Sequence, residues 1–201
     1  MQISLTSARD WCVSWTAAEP PYMQRGSHAL AWDGGCWLVD PVDGEGLDGL
    51  IAPLGPVRGV IQLLDRHARD GAALAKRFEV PHLVAPVRGI PGSPFTVLPV
   101  GEHRWWREIA LWWPAHRALV VPEALGTAPY YTAPGAIVGI HPMLRPFPPK
   151  ILDVAPRHLL PGHGAPLSGD GVAGAVHDAL ARSRRDIPGV LFGMVARRGR
   201  G

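Results

Sequence analysis

Val57-Arg58-Gly59-Val60-Ile61-Gln62-Leu63-Leu64, running straight into Asp65-Arg66-His67-Ala68-Arg69-Asp70, is a β-branched apolar run that ends in a polar loop. The run is of buried-strand type. Beyond the loop, Ala68, Ala72 and Ala75, with Leu74 and Phe78, recur at helical spacing up to Val80-Pro81, which stops the helix. His82 to Ala85 then reads as a short strand, and strand, loop, helix and strand together make a βαβ-like unit of about thirty residues. Upstream, the apolar residues of His28 to Asp40 flank Asp33-Gly34-Gly35, the turn chemistry of a tight antiparallel hairpin. Downstream, strands are expected over Phe95 to Val100, Glu108 to Trp113 and Arg117 to Val121, the last two joined at Pro114-Ala115-His116. A Pro-rich stretch, Pro142 to Pro149, precedes a short helix around Lys150 to Val154, the strand His158-Leu159-Leu160 and a final helix over Gly171 to Arg185. No linker separates a second hydrophobic core, so one domain spanning 1–201, of mixed α/β (α+β) type, is expected.

Composition narrows the classes further. The chain has 201 residues and is 47% hydrophobic, enough for a buried core, while 18% charged residues and a net charge of +3 do not suit disorder or an obligate polyanion binder. Eighteen of the 20 basic residues are arginine, and Arg182, Arg184, Arg185, Arg197, Arg198 and Arg200 crowd the last twenty positions as a short basic C-terminal tail. The tail resembles an RNA-binding segment only superficially, so no nucleic-acid partner is expected. Glycine (24) and proline (22) are scattered without a period, which excludes collagen-like repeats and long helices. With no apolar run of membrane-spanning length and no signal-type N-terminus, a cytoplasmic protein off the membrane is expected, its Cys12 and Cys36 reduced and structural.

Three segments put a polar, ligand-capable residue at the end of a buried strand, where loops display functional groups on a rigid scaffold. They are Asp65 to Asp70, Pro122-Glu123, and Pro161-Gly162-His163-Gly164. In order and context they resemble the metallo-β-lactamase superfamily, which carries His-x-His-x-Asp-His after an apolar strand, Gly-Asp after a later strand and Pro-Gly-His-Gly near the end. The resemblance runs over nearly the whole chain and implies a four-layer αβ/βα sandwich, two mixed sheets face to face with helices outside. It also implies a hydrolase-like site in which one or two zinc ions supply hydroxide near neutral pH.

Carried over position by position, Asp65 falls on the first motif histidine, His67 on the second, Arg69 on the aspartate and Asp70 on the last histidine. Only His67 is unchanged. Glu123 falls on the metal-bridging aspartate, His163 on the final histidine, and His103, in Gly101-Glu102-His103-Arg104, on the remaining one. The first metal would have Asp65, His67 and His103. The second would have Asp70, Glu123 and His163, but arginine has no lone pair to give, so Arg69 argues against a second ion and is read as a cation replacing it. Asp65 and Asp70 are the candidates for a catalytic carboxylate.

Each of these residues also has a plainer account. His67, His103 and His163 would serve as hydrogen-bonding or packing residues in turns, and Asp40 as a turn residue tying down a loop. Trp105 and Trp106, beside His103, either line an apolar substrate pocket or an interface, or pack as core. Two functions are weighed. One is a non-catalytic or weakly active relative whose degenerate metal site is a salt-bridged cluster binding a small molecule or a partner. The other is a mono-metal hydrolase acting on a small ester or thioester. No zinc or one zinc is expected, and a homo-oligomer is compatible with either reading.

Overall fold

The computed structural model describes residues 1–21 and 23–190. The Arg-rich end with Arg197, Arg198 and Arg200 lies outside the described residues. In chain order the elements are β1 (Ile3–Ala8), β2 (Cys12–Ala17), β3 (Gly26–Trp32), β4 (Gly35–Val39), α1 (Leu47–Ile51), β5 (Val57–Gln62), α2 (Gly71–Arg77) and β6 (His82–Val84). There follow β7 (Thr96–His103), β8 (Trp106–Trp113), β9 (Ala118–Val121), β10 (Leu125–Gly126), β11 (Gly139–Ile140), β12 (His158–Pro161), β13 (Leu167–Ser168) and α3 (Gly171–Arg182).

Two mixed sheets result, one ordered β1-β2-β3-β4-β5-β6 and the other β13-β12-β9-β8-β7, with β10 and β11 as a small separate ladder. The β3–β4 hairpin turns at Asp33 and Gly34, both at positive φ (51° and 71°), the backbone of a tight type I′ turn. Side chains alternate across each strand, and three apolar clusters sort accordingly. Between the sheets lie Leu30, Val39, Ile61, Ile109, Leu111, Val120 and Leu160. Val13, Trp15, Leu38 and Val60 point the other way and pack on Leu47 and Ile51 of α1 and Leu74 of α2. Ala110, Leu119, Val121 and Leu159 face Val172, Val176 and Leu180 of α3. Helix, sheet, sheet, helix is the four-layer sandwich.

Local differences from expectation have backbone causes. Helix α2 starts at Gly71 and not at Ala68, because Arg69 sits at φ 39°, a left-handed conformation that a helix cannot continue through. The expected helix around Lys150 to Val154 is a single 3₁₀ turn, Lys150–Leu152, enclosed by Pro149 and by Ala155 at φ 50°. Strands β1 and β2 extend the first sheet beyond the hairpin. Among the described residues no helix is long and apolar enough to cross a membrane.

Candidate functional site

The loop after β5 is held from inside the fold. Buried Gln62 donates from Nε2 to the Leu64 and Asp65 carbonyls (2.8 and 3.0 Å), and the His67 N–H closes a turn on the Leu64 carbonyl (2.9 Å). Asp40 follows β4 at φ 42° and is 2% exposed. Its Oδ1 accepts from the Leu63 N–H at 2.9 Å, and its Oδ2 lies 3.3 Å from His67 Nδ1. That bond directs the other ring nitrogen of His67 at Glu123, with Nε2 2.6 Å from Oε2.

Glu123 follows β9 and is shaped by Glu108 of β8, whose Oε1 accepts from the Glu123 and Ala124 N–H groups (3.2 and 2.8 Å) while Oε2 accepts from Trp106 Nε1 (2.7 Å). On its own carboxylate, Oε1 accepts from the Tyr131 hydroxyl (2.8 Å) and lies 3.3 Å from His141 Nε2. Oε2 is shared between His67 and His163, the latter with Nε2 at 3.2 Å. His163 follows β12, and its Nδ1 donates to the Met23 carbonyl at 2.9 Å. Its Nε2 is buried without a hydrogen bond.

The Pro-Gly-His-Gly turn owes its glycines to crowding. A Cβ on Gly162 would run into the Pro122 backbone, and one on Gly164, at φ 91°, into Thr127 and Ala128. Gly162→Ala is therefore expected to cost about 1–3 kcal/mol by overpacking, seen as a lower unfolding midpoint. An unchanged midpoint would mean that the Pro122 backbone yields freely.

Electrostatics follow from burial and pairing. Burial works against a charged Glu123, yet the close His163 and the His67 hydrogen bond hold its carboxyl well below the usual range. Asp40 is likewise lowered despite burial, by the His67 hydrogen bond and the charges of His67 and Arg69. Burial alone would lower His67, but its hydrogen bonds to Asp40 and Glu123 prevail and raise it. His141, by contrast, is pushed down to about 4 by burial and is a neutral ring. Burial lifts Glu108 to about 7 against the Ala124 N–H and Trp106 bonds that favour its charge.

His67, Glu123 and His163 converge, their ligand atoms all within 4.8 Å of one another. The rings of His67 and His163 are 5.4 Å apart. Other expected members stand elsewhere. Asp65 is bound through its backbone to Arg107, and its carboxylate is not part of the group. Asp70 turns toward the segment after β4, its Oδ2 accepting from the Asp43 N–H at 2.8 Å, because the left-handed Arg69 reverses the side-chain direction between the two. Neither carboxylate is among the three groups that converge. His103 is exposed at the tip of the β7–β8 hairpin, stacked on Trp105 with ring centres 5.5 Å apart. The third imidazole at Glu123 is His141, directly after β11.

Arg69 points inward, but not at Asp70 or Glu123. Its guanidinium donates to the Gly26 carbonyl, to the Asp40 carbonyl (2.7 Å) and to the Gly162 carbonyl (2.7 Å), joining the ends of β3, β4 and β12. Trp105 is 56% exposed, whereas Trp106 is 2% exposed and packs under Arg66 and against His141, their ring centres 5.0 Å apart. A cavity of about 420 Å³ that reaches His163 is lined by Glu19, Pro20, Met23 and Arg25. Asp40, Glu108, Tyr131 and His141 were not among the expected site residues. For His141 the signal was present: Val138-Gly139-Ile140-His141-Pro142 is again a polar residue ending a buried apolar run.

With this geometry in hand, the fold can be placed among known structures. It resembles a metallo-β-lactamase from Erythrobacter litoralis (TM-score 0.62, 12% identity, covering 92% of each chain). It also resembles one from Pontibacter korlensis (0.57, 12%, covering 90% of this chain and 99% of that one). A third is FIM-1 from Pseudomonas aeruginosa in its mono-zinc form (0.56, 10%, 92% and 97%). The chain has the metallo-β-lactamase fold. The sequence itself matches no protein-family model and, at a significant level, no curated protein.

Proposed function

We propose that the chain is a non-catalytic or weakly active member of this fold class, in which an ion-paired cluster has replaced the two-metal centre and the adjoining cavity binds a small molecule. The carrying observation is Arg69. A guanidinium fixed by three strand-end carbonyls stands where the motif resemblance calls for a metal-binding aspartate, so a second ion has neither a ligand nor charge balance there. Two supports add to it. Neither motif carboxylate, Asp65 or Asp70, reaches the cluster. The cavity ending at His163 is lined by apolar Pro20 and Met23 and by the Arg25–Glu19 ion pair, a lining suited to a small polar-ended molecule. Its two free, buried cysteines suit a reducing, cytoplasmic setting.

The second reading, a mono-metal hydrolase of small esters or thioesters, is favoured by one observation, the orphaned Nε2 of His163 facing Glu123. A zinc ion at such a site would supply a hydroxide near neutral pH. The test is hydrolysis of a panel of small esters and thioesters by the purified chain, with and without added zinc. No turnover above a His67→Ala control is expected in either arm. Zinc-dependent turnover that a chelator abolishes would replace the first reading with the second.

A further inference from the structure

We infer that the surface shared by the β7–β8 hairpin tip and residues 142–151 is a membrane-contact surface that seats on anionic lipid headgroups. It uses none of the His67, Glu123 and His163 side chains, so it stands or falls independently of the reading above.

Contacts join the two segments. The Trp105 ring lies against Trp106, with ring centres 6.4 Å apart, and Trp106 lies against His141 at 5.0 Å. From His141 the chain enters the 3₁₀ turn Pro142–Leu144, where the Met143 N–H donates to His141 Nδ1, and the Phe147 N–H then donates to the Leu144 carbonyl. Strand β7 in turn packs on the 3₁₀ turn Lys150–Leu152. Along this path large apolar side chains leave the protein. Phe147 is 80% exposed and Met143 61%, and Trp105 and Ile151 are exposed as well. Prolines at 142, 146, 148 and 149 fix much of the backbone between them, so a stiff loop displays these side chains. Apolar groups held out of the core in this way mark a contact surface.

Cations accompany them. Arg66 lies 4.4 Å over the Trp106 ring, and Arg184 lies 5.7 Å from the Phe147 ring centre while donating to the Pro146 carbonyl at 2.7 Å. Arg104 and Arg107 flank the tryptophan pair in the hairpin, and Lys150 precedes Ile151. All five are exposed. The carboxylates on these segments are Glu102 and Asp65, together with Asp153, which is engaged by His177 Nδ1 at 2.8 Å.

A lipid surface fits this arrangement better than a macromolecule does. A protein partner buries one contiguous apolar core, whereas these side chains project singly from a hairpin tip, two 3₁₀ turns and a proline-rich loop. Single-stranded nucleic acid needs open aromatic faces on which to stack its bases. Here His103 covers one face of Trp105, Arg66 covers Trp106, and Met143 and Ile151 have no ring to offer. At a bilayer interface, by contrast, rings and aliphatic stems enter the apolar zone while guanidiniums stay at headgroup level. Anionic lipid adds attraction for each cation. The expectation of a protein off the membrane rested on the lack of a spanning run, which peripheral attachment does not need.

The test is co-sedimentation of the full chain with vesicles of phosphatidylcholine, with and without phosphatidylglycerol. Binding is expected to the mixed vesicles and should weaken with added salt. Trp105→Ser combined with Phe147→Ser should lower partitioning by about tenfold or more. Arg104→Gln and Arg107→Gln should each lower it about fivefold. Circular dichroism checks that these surface variants are folded. Replacing Arg197, Arg198 and Arg200 together by glutamine should leave binding unchanged. No binding to the mixed vesicles at low salt, binding indifferent to the Trp105 and Phe147 changes, or loss of binding with the tail arginines instead would overturn the inference. So would binding of a single-stranded oligonucleotide in place of vesicles, lost with the same double variant, which would assign the surface to nucleic acid.

Discussion

Arg69→Ala is expected to lower the unfolding free energy by about 3–5 kcal/mol, the range for removing one partner of an enclosed charge network. The guanidinium is surrounded by protein, and burial lowers its pKa, though an arginine remains charged. Taking it away leaves the Gly26, Asp40 and Gly162 carbonyls without their donor, each at a cost of about 1–3 kcal/mol if water does not enter. It also removes the cation that offsets Asp40 and Glu123, both of which act on it through charge. Arg69→Lys should recover only part of the loss, because a point ammonium cannot span three carbonyls on separate strand ends. Urea unfolding of both variants at pH 7 is the measurement. An alanine variant within about 0.5 kcal/mol of wild type, the span of neutral surface changes, would show that the guanidinium is not holding these ends together.

This dual role of Arg69 shows what the sequence could and could not disclose. That an arginine in the signature loop cannot ligate follows from its chemistry alone. That it would bond to carbonyls and not to neighbouring carboxylates depends on its left-handed backbone, which turns it inward and sends Asp70 outward, and no periodicity encodes that angle. The hairpin at Asp33-Gly34 and the apolar strands β5, β9 and β12 were legible because turn chemistry and buried runs are local signals. Strands β1 and β2 were not read from apolar runs, which they lack, although Ile3-Ser4-Leu5-Thr6 and Val13-Ser14-Trp15-Thr16 carry the other strand signal, an apolar residue at every second position. At the site, His67, Glu123 and His163 were found through strand ends and motif order. His103 was assigned by matching Gly101-Glu102-His103-Arg104 to the histidine-bearing loop that the resemblance implies, but a strand that continues through it to a hairpin tip carries it into solvent. His141 reaches Glu123 only because the β10–β11 ladder folds residues 139–141 back onto Leu125 and Ala124. Glu108 sat in plain view within a strand, yet its role depends on a turn fifteen residues on.

The second large effect is expected at acid pH and belongs to His28, one of the rings to which the sequence assigned no role. It is 2% exposed and spans the two sheets, with Nδ1 2.9 Å from Ser14 Oγ on β2 and Nε2 3.1 Å from the Pro161 carbonyl on β12. The carbonyl can only accept, so Nε2 carries the proton and Nδ1 accepts from the Ser14 hydroxyl. Protonating Nδ1 would place a buried cation against a donor, and burial accordingly pushes the pKa from 6.5 down to about 4. An unfolded chain takes up that proton near pH 6.5 and the native one only near 4. Stability from this ring is therefore complete above about pH 6.5 and lost as pH falls toward 4, by about 3 kcal/mol at roughly 1.4 kcal/mol per tenfold change. His141, also lowered, acts in the same direction, whereas His67, raised by its carboxylates, adds stability at low pH that fades as pH rises through its native value. A variant isolates the His28 share. His28→Gln keeps a donor for Pro161 but does not titrate, so it should be less stable than wild type at pH 7, and the gap should close or reverse by pH 4 in urea unfolding. Parallel curves across that range would mean the ring is not the titrating clasp. Because Pro161 leads directly into Gly162-His163, closure of the two sheets at His28 and presentation of His163 to Glu123 are the work of one strand end, and acid should loosen both together.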